Sequence, residues 1–114
     1  MITNLENAEH YRWGAVCEGW RLLERADLTV IRERIPPGAG EVQHFHARAR
    51  QLFFVLSGAL EIELGEQRFR VGAEDALEVS PGVLHRVSNS GPADAVFLVI
   101  SAPTTRGDRT NVEA

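Results

Sequence analysis

Two histidines one residue apart, His44 and His46 in the stretch HFHARARQ, are the residues of this chain best suited to chemistry. On an extended strand, side chains at i and i+2 share a face, so the two imidazoles converge. Neutral imidazole is the commonest transition-metal ligand in proteins. Gln51 opens the next apolar stretch after the short ARAR connection, and hairpin pairing would return its amide beside the pair. A third histidine, His85, follows the SPGVL turn. Three imidazoles and an amide oxygen, with one or two positions left open, suit Fe(II), Mn(II), Ni(II) or Zn(II). Any one histidine is more commonly a packed or surface residue. Two on one face and a third at a strand start weaken that reading. His10 stands alone near the N-terminus and reads as structural.

These side chains need a frame of strands. From about residue 20, short apolar–polar alternations are separated by glycine and proline. In LEIEL, Leu60, Ile62 and Leu64 take one face and Glu61 and Glu63 the other. RFRV (68–71) repeats the pattern, while QLFFVL (51–56) and AVFLVI (95–100) are apolar on both faces. Turn signals fall between them at PPGAG, SG, GEQ, SPG and SGP. Regular short strands without a long helical pattern predict an all-β antiparallel sandwich or barrel. Residues 1–20 read as an irregular N-terminal arm, 21–103 as the barrel, and 104–114 as a polar C-terminal tail that frays. The tail contains Arg106-Gly107-Asp108, a tripeptide read by some adhesion receptors. Three residues without structural context carry little information, and chance is the reading taken.

With the strands in place, Gly38, five residues, His44-x-His46, four residues, Gln51, six residues and Gly58 resemble the first motif of the cupin superfamily. Ser80-Pro81-Gly82-Val83-Leu84-His85, three residues, then Asn89 resembles the second. The family usually has glutamate at the position of Gln51, proline at that of Ser80 and glycine at that of Glu74. The resemblance implies a double-stranded β-helix, the jelly-roll barrel of cupins, with one divalent transition metal (Fe, Mn, Ni or Zn) held by His44, His46, Gln51 and His85. Glutamine in place of glutamate makes the chain similar to small cupins that open unsaturated uronate sugars. Those carry an acid on their last strand, where AVFLVIS has none. Four neutral ligands leave the full charge on a dication. Metal affinity should fall, and attraction for an anionic ligand should rise.

The strand LTVIRERI (28–35) should form a wall of the barrel. The face Thr29, Ile31, Glu33, Ile35 is favoured as inward, which makes Glu33 a candidate general acid or base. The other face would bring Arg32 or Arg34 inside to clamp an anionic substrate. These charges could equally form a solvated salt bridge at the barrel mouth. Phe53 and Val55 share the face of Gln51 and should line the cavity, Phe53 as core or as a substrate platform. Asn89 reads as turn-stabilising. Tyr11, Trp13 and Trp20 give the arm apolar surface suited to a homodimer interface, or to capping its own barrel.

Composition narrows the function. At 114 residues the chain has room for one core. A formal charge of −4, from 12 basic and 16 acidic residues, argues against nucleic acid as a partner. The longest apolar run is far too short for a membrane span, and the first residues have no leader-like apolar stretch, so the expected location is cytoplasmic. The single cysteine, Cys17, excludes an internal disulfide and reads as a buried small hydrophobe. The expected function is a metal-dependent enzyme, of dioxygenase or isomerase type, acting on a small polar or anionic molecule. A non-catalytic small-molecule-binding module is the alternative, and storage the least favoured reading.

Overall fold

The computed structural model describes residues 1–112. Numbered along the chain, strands β1 (Glu9–Trp13), β2 (Cys17–Glu24), β3 (Thr29–Ile35), β10 (Ala95–Ala102), β5 (Arg50–Ser57) and β8 (Ala76–Val79) form one sheet in that spatial order. Strands β11 (Thr110–Asn111), β4 (His44–Phe45), β9 (His85–Ser88), β6 (Ala59–Leu64) and β7 (Gln67–Gly72) form the second. All pairings are antiparallel, and no helix occurs among the described residues. This is a double-stranded β-helix. Among the described residues, no helix is long and apolar enough to cross a membrane.

The two sheets share one core. Leu60, Ile62, Val71 and Val87 from the smaller sheet meet Cys17, Ile35, Phe53, Val55, Phe97 and Val99 from the larger. Burying a side chain such as Phe97 or Ile62 favours the fold by roughly 2 kcal/mol each. The alternation in LEIEL works as its pattern requires. Leu60 and Ile62 are buried, and Glu61 and Glu63 face outward to pair with Arg68 across the β6–β7 hairpin.

Strand register sorts the inner face of the larger sheet into rows. Thr29, Ser101, Gln51 and Val79 stand side by side across β3, β10, β5 and β8. The next row is Ile31, Val99, Phe53 and Leu77. A third row runs Tyr11, Gly19, Glu33, Phe97 and Val55 from β1 to β5. Polar residues therefore enter the interior at the two outer rows, and the middle one is apolar.

Both chain ends differ from the sequence-based expectation. The N-terminal segment is irregular only through Ala8. Residues 9–13 and 17–24 are a hairpin continuous with the larger sheet. Its aromatic residues obscured an alternation in which Cys17 and Gly19 point inward. The stretch from Thr104 does not fray within the described residues. Asp108 is buried, and β11 pairs with β4. Asp108 is held by backbone N–H groups of residues 47–49, and the Thr104 and Val112 N–H groups bond the Ala26 and Gln43 carbonyls. Residues 113 and 114 of the expected tail lie outside the described residues.

Left-handed backbone at two of the turns bears on the sequence expectation and on stability. Glu74, where the resemblance expects glycine, has φ 67°. Gly58 joins β5 to β6 at φ 73°, and a Cβ there would lie 2.2 Å from the Asp94 carbonyl oxygen. Strain and collision act together at Gly58, so Gly58→Ala should lower unfolding free energy by about 2 kcal/mol or more. Urea denaturation of the metal-free protein measures this. A loss below about 0.5 kcal/mol would mean the turn is not formed this way.

Candidate metal centre

His44 and His85 are paired across β4 and β9, which brings two imidazoles together. His46 follows one residue beyond β4, on the same face as His44. Ring centroids lie 4.3 Å apart for His44–His85, 5.0 Å for His44–His46 and 5.5 Å for His46–His85. One nitrogen from each ring lies within 4.8 Å of the others, and all three residues are buried.

Each ring is oriented by its other nitrogen. Nδ1 of His44 bonds the Val42 carbonyl at 2.9 Å, that of His85 the Val83 carbonyl at 2.9 Å, and that of His46 the Asp108 carbonyl at 2.7 Å. A carbonyl only accepts, so each Nδ1 carries the hydrogen and each Nε2 presents a lone pair. Burial pushes the His44 imidazole down to about 3 and lowers those of His46 and His85. The rings are therefore neutral near pH 7, which is the ligating form.

Gln51 donates its Nε2 hydrogen to Ser101 Oγ at 3.1 Å, while its buried Oε1 accepts nothing. His85 Nε2 is likewise buried without a partner. Isolated buried polar atoms are costly, and a lone pair has no use for an apolar neighbour. An oxygen and a nitrogen left this way among convergent imidazoles suit a cation, and the donor set of three nitrogens and one oxygen suits a divalent transition metal. His44, His46 and His85 are thus positioned to hold a metal ion, with Gln51 on the same cavity wall.

The cavity above these residues measures about 230 Å³. Phe53, Ile31 and Val99 form its apolar floor. Phe53 is both core and lining: it is buried, and its ring stands edge-on to His85 at 6.3 Å. Val55, expected beside it, lies one row deeper in the core. Asn89 holds a turn, donating to the Ile35 and Ala93 carbonyls and accepting from Gly91 N–H.

Of the three charged residues on β3, Glu33 faces the cavity, and Arg32 and Arg34 do not. Arg32 lies over the Trp20 ring at 5.1 Å, and Arg34 bonds Glu18 and Asp94. A role for Arg32 or Arg34 in clamping a substrate inside the barrel is therefore corrected. Strand alternation sends them to the opposite face once Ile31 and Ile35 turn inward. Glu33 accepts a hydrogen bond of 3.0 Å from Tyr11 Oη. Gly19 makes this possible: a Cβ there would sit 2.3 Å from the Tyr11 ring, which crosses the β2 backbone at that point. Burial pushes the Glu33 carboxyl up to about 7 and raises the Tyr11 phenol.

Several cavity residues escaped the sequence reading. Glu41 Oε1 lies 3.8 Å from His44 Nε2 and accepts the Val87 N–H at 3.2 Å. Burial, then the Glu33 charge, pushes the Glu41 carboxyl up to about 8. Residues 41–43 are not in a strand, so strand parity gives no guide to where Glu41 points. Tyr11 and Trp13 line the cavity from the segment expected to be an arm, and Arg109 from the segment expected to fray. Only a row-by-row register with β2 and β3 would have found Tyr11. Two arm aromatics thus line the cavity of their own barrel, as the capping alternative expects. His10 pairs with Glu18 at 2.7 Å and packs on Trp20, a structural role.

The class these features define is a small antiparallel jelly-roll protein with three buried histidines positioned to hold a metal ion. Residues 31–101 match the family described as the cupin domain, and the chain belongs to that family. It is 28% identical over 67 residues to the tetracenomycin polyketide synthase protein TcmJ of Streptomyces glaucescens, covering 57% of this chain and 45% of that protein. The chain thus spans about half the length of this curated relative. KdgF from Halomonas sp. superposes with a TM-score of 0.82 at 19% identity, over 91% of this chain and 95% of that one. A Klebsiella pneumoniae protein with a double-stranded β-helix domain superposes with a TM-score of 0.75 at 27% identity, over 95% and 88%.

The Glu33 environment yields a pH dependence. Its carboxyl has a usual value of 4.5 and a folded value of about 7, so between these pH values the folded state holds a proton that the unfolded state has released. The Glu33 contribution to stability is then greatest below pH 4.5 and is lost as pH rises through 7. Glu33→Gln removes this dependence. Relative to wild type, the variant should gain about 3 kcal/mol between pH 4.5 and 8. Urea titrations of both metal-free proteins at several pH values read the difference, and a constant difference would contradict the raised carboxyl.

Proposed function

We propose that the protein is a metal-dependent enzyme, of dioxygenase or isomerase type, that acts on a small polar or anionic molecule. The observation that carries this reading is the convergence of three neutral imidazoles, each fixed through Nδ1, beside a buried amide oxygen with no partner. Fe(II), Mn(II), Ni(II) and Zn(II) all suit such donors. When bound, the metal supplies Lewis-acid polarisation of a substrate oxygen.

The remaining work falls to the cavity walls. Phe53, Ile31 and Val99 exclude water from the floor. Glu33 is the general acid or base in this reading, because a carboxyl near 7 can hold or release a proton at neutral pH. Tyr11 keeps that carboxyl oriented by donating to Oε2. The fold itself does not choose among reactions, since jelly rolls host many chemistries.

The reading includes a cytoplasmic homodimer. With Tyr11 and Trp13 turned inward, the supporting surface is the outer face of the larger sheet. Val30, Leu52, Phe54, Val96, Leu98 and Ile100 form an apolar, half-buried band there. Sedimentation equilibrium should give twice the chain mass, and a monomer at all concentrations would remove the dimer.

Metal analysis tests the reading. Protein purified without added metal, or reconstituted anaerobically, should carry close to one equivalent. His46→Ala should lose the metal while keeping its β-sheet circular dichroism. Gln51→Glu should bind metal at least about tenfold more tightly, because a carboxylate offsets ion charge that an amide leaves untouched. Less than about a tenth of an equivalent in wild type would overturn the metal reading. Oxygen uptake by the Fe(II) form against diketones, catechols and thiols separates a dioxygenase from an isomerase. Tight ligand binding with no turnover of any kind would assign a non-catalytic binding module instead.

A further inference from the structure

The segment from Thr104 to Val112 crosses the mouth of the metal cavity and is tied at both ends. Thr104 N–H bonds the Ala26 carbonyl at 3.0 Å, and Val112 N–H bonds the Gln43 carbonyl at 2.8 Å. Between them lies the Arg-Gly-Asp tripeptide. Its aspartate is not available to a receptor. The Asp108 side chain is only 4% exposed. Its carboxylate accepts N–H bonds from Ala47 at 2.9 Å, Arg48 at 3.0 Å and Ala49 at 2.9 Å, within the connection that follows His46. Its backbone carbonyl accepts the His46 Nδ1 hydrogen. One residue thus anchors the strap, the ligand loop and a ligand imidazole.

The next residue, Arg109, lines the cavity. Its Nε donates to Asn111 Oδ1 at 2.9 Å, and the nearest carboxylate oxygen, Glu41 Oε2, is 3.7 Å from its terminal nitrogen. That distance is too long for a hydrogen bond. Among the described residues, the terminal guanidinium nitrogens therefore keep their donors. The other cavity cation, Arg21, is committed: it pairs with Glu9 at 2.8 Å and lies over the Tyr11 ring at 4.4 Å. The charge of Arg109 reaches Glu33, Glu41 and all three histidines. A planar fork with spare donors beside four uncharged donor residues matches a carboxylate better than a neutral ligand.

We propose that the strap is the substrate-recognition element of the cavity: Arg109 binds the carboxylate of a small carboxylic acid, and Asp108 is the positioning residue that presents Arg109 and holds His46. This deepens the metal-enzyme reading and names its substrate class. It stands on the placement of Arg109, so it can be tested apart from the metal.

Oxalate is the probe, and oxamide is its uncharged analogue of the same shape. Both are titrated by calorimetry into metal-loaded and metal-stripped full-length protein. Oxalate should bind the loaded wild type at least about tenfold more tightly than oxamide. Arg109→Gln should weaken oxalate by at least about tenfold, leave oxamide and metal stoichiometry unchanged, and be partly rescued in Arg109→Lys. Oxalate binding to Arg109→Gln within about twofold of wild type overturns the clamp. Should wild type take up no metal, the metal reading fails and the stripped protein decides the clamp. Arg109-dependent oxalate binding there supports it, and no oxalate binding to either form overturns it. Asp108→Asn should weaken oxalate several-fold and shift the visible absorption of the Co(II)-substituted protein, since a ligand imidazole loses its fixed orientation. An Asp108→Asn variant that matches wild type on both counts removes Asp108 from the proposal. Arg109→Gln decides the carboxylate clamp by itself.

Discussion

Three imidazoles buried in one barrel, each with only its Nδ1 satisfied by a backbone carbonyl, form the constraint on which the rest of this structure depends. Burial disfavours protonation, so the rings cannot relieve one another by taking up charge. The His85 Nε2 lone pair is fully buried without a partner, and those of His44 and His46 belong to rings on the cavity wall beside it. Every neighbouring element serves that arrangement. β4 and β9 set two rings opposite one another, and β10 supplies Ser101 to hold the Gln51 amide. The strap at the C-terminal side ties the third ring.

The register of the larger sheet explains how a polar site coexists with a dense core. The apolar row of Ile31, Val99, Phe53 and Leu77 lies between the Gln51 row and the Glu33 row. Its side chains close the cavity floor and join the core beneath. In that low-dielectric setting Glu33 and Glu41 are both pushed toward the neutral form. Two acids thus stand beside the three histidines, with Glu41 Oε1 3.8 Å from His44 Nε2 and Glu33 on the same cavity wall. Gly19 is the small residue on which the Tyr11–Glu33 contact depends, because any side chain there would displace the Tyr11 ring from Glu33.

Much of this was legible in the sequence because strand periodicity is local. The i, i+2 relation of His44 and His46, the alternation in LEIEL, and the parity of Thr29, Ile31, Glu33 and Ile35 each follow from backbone geometry over a few residues. Spacing already offered His85 as a third candidate ligand, and the family resemblance strengthened that set by placing His85 in a second motif. What was not legible lies where periodicity lapses or where residues meet across strands. Glu41 precedes β4 in irregular chain, and Arg109 lies in a polar stretch that by composition alone resembles a frayed tail. Asp108 was dismissed with its tripeptide because three residues say nothing about burial. Arg32 and Arg34 kept a role only while the parity of β3 stayed open.

The sequence by itself determined an all-β chain of short antiparallel strands, since that rests on residue type and short spacing. The jelly roll came from the resemblance of its two motifs to the cupins, which also strengthened the set of four candidate ligands. Tertiary structure alone decided which charges face the cavity and which segment closes it. Those outcomes depend on pairings such as Tyr11 with Gly19, Gly19 with Glu33, and Asp108 with the loop after His46. Such partners are far apart in the chain, and no local pattern encodes a contact whose energy comes from desolvation and hydrogen bonding across the assembled sheet.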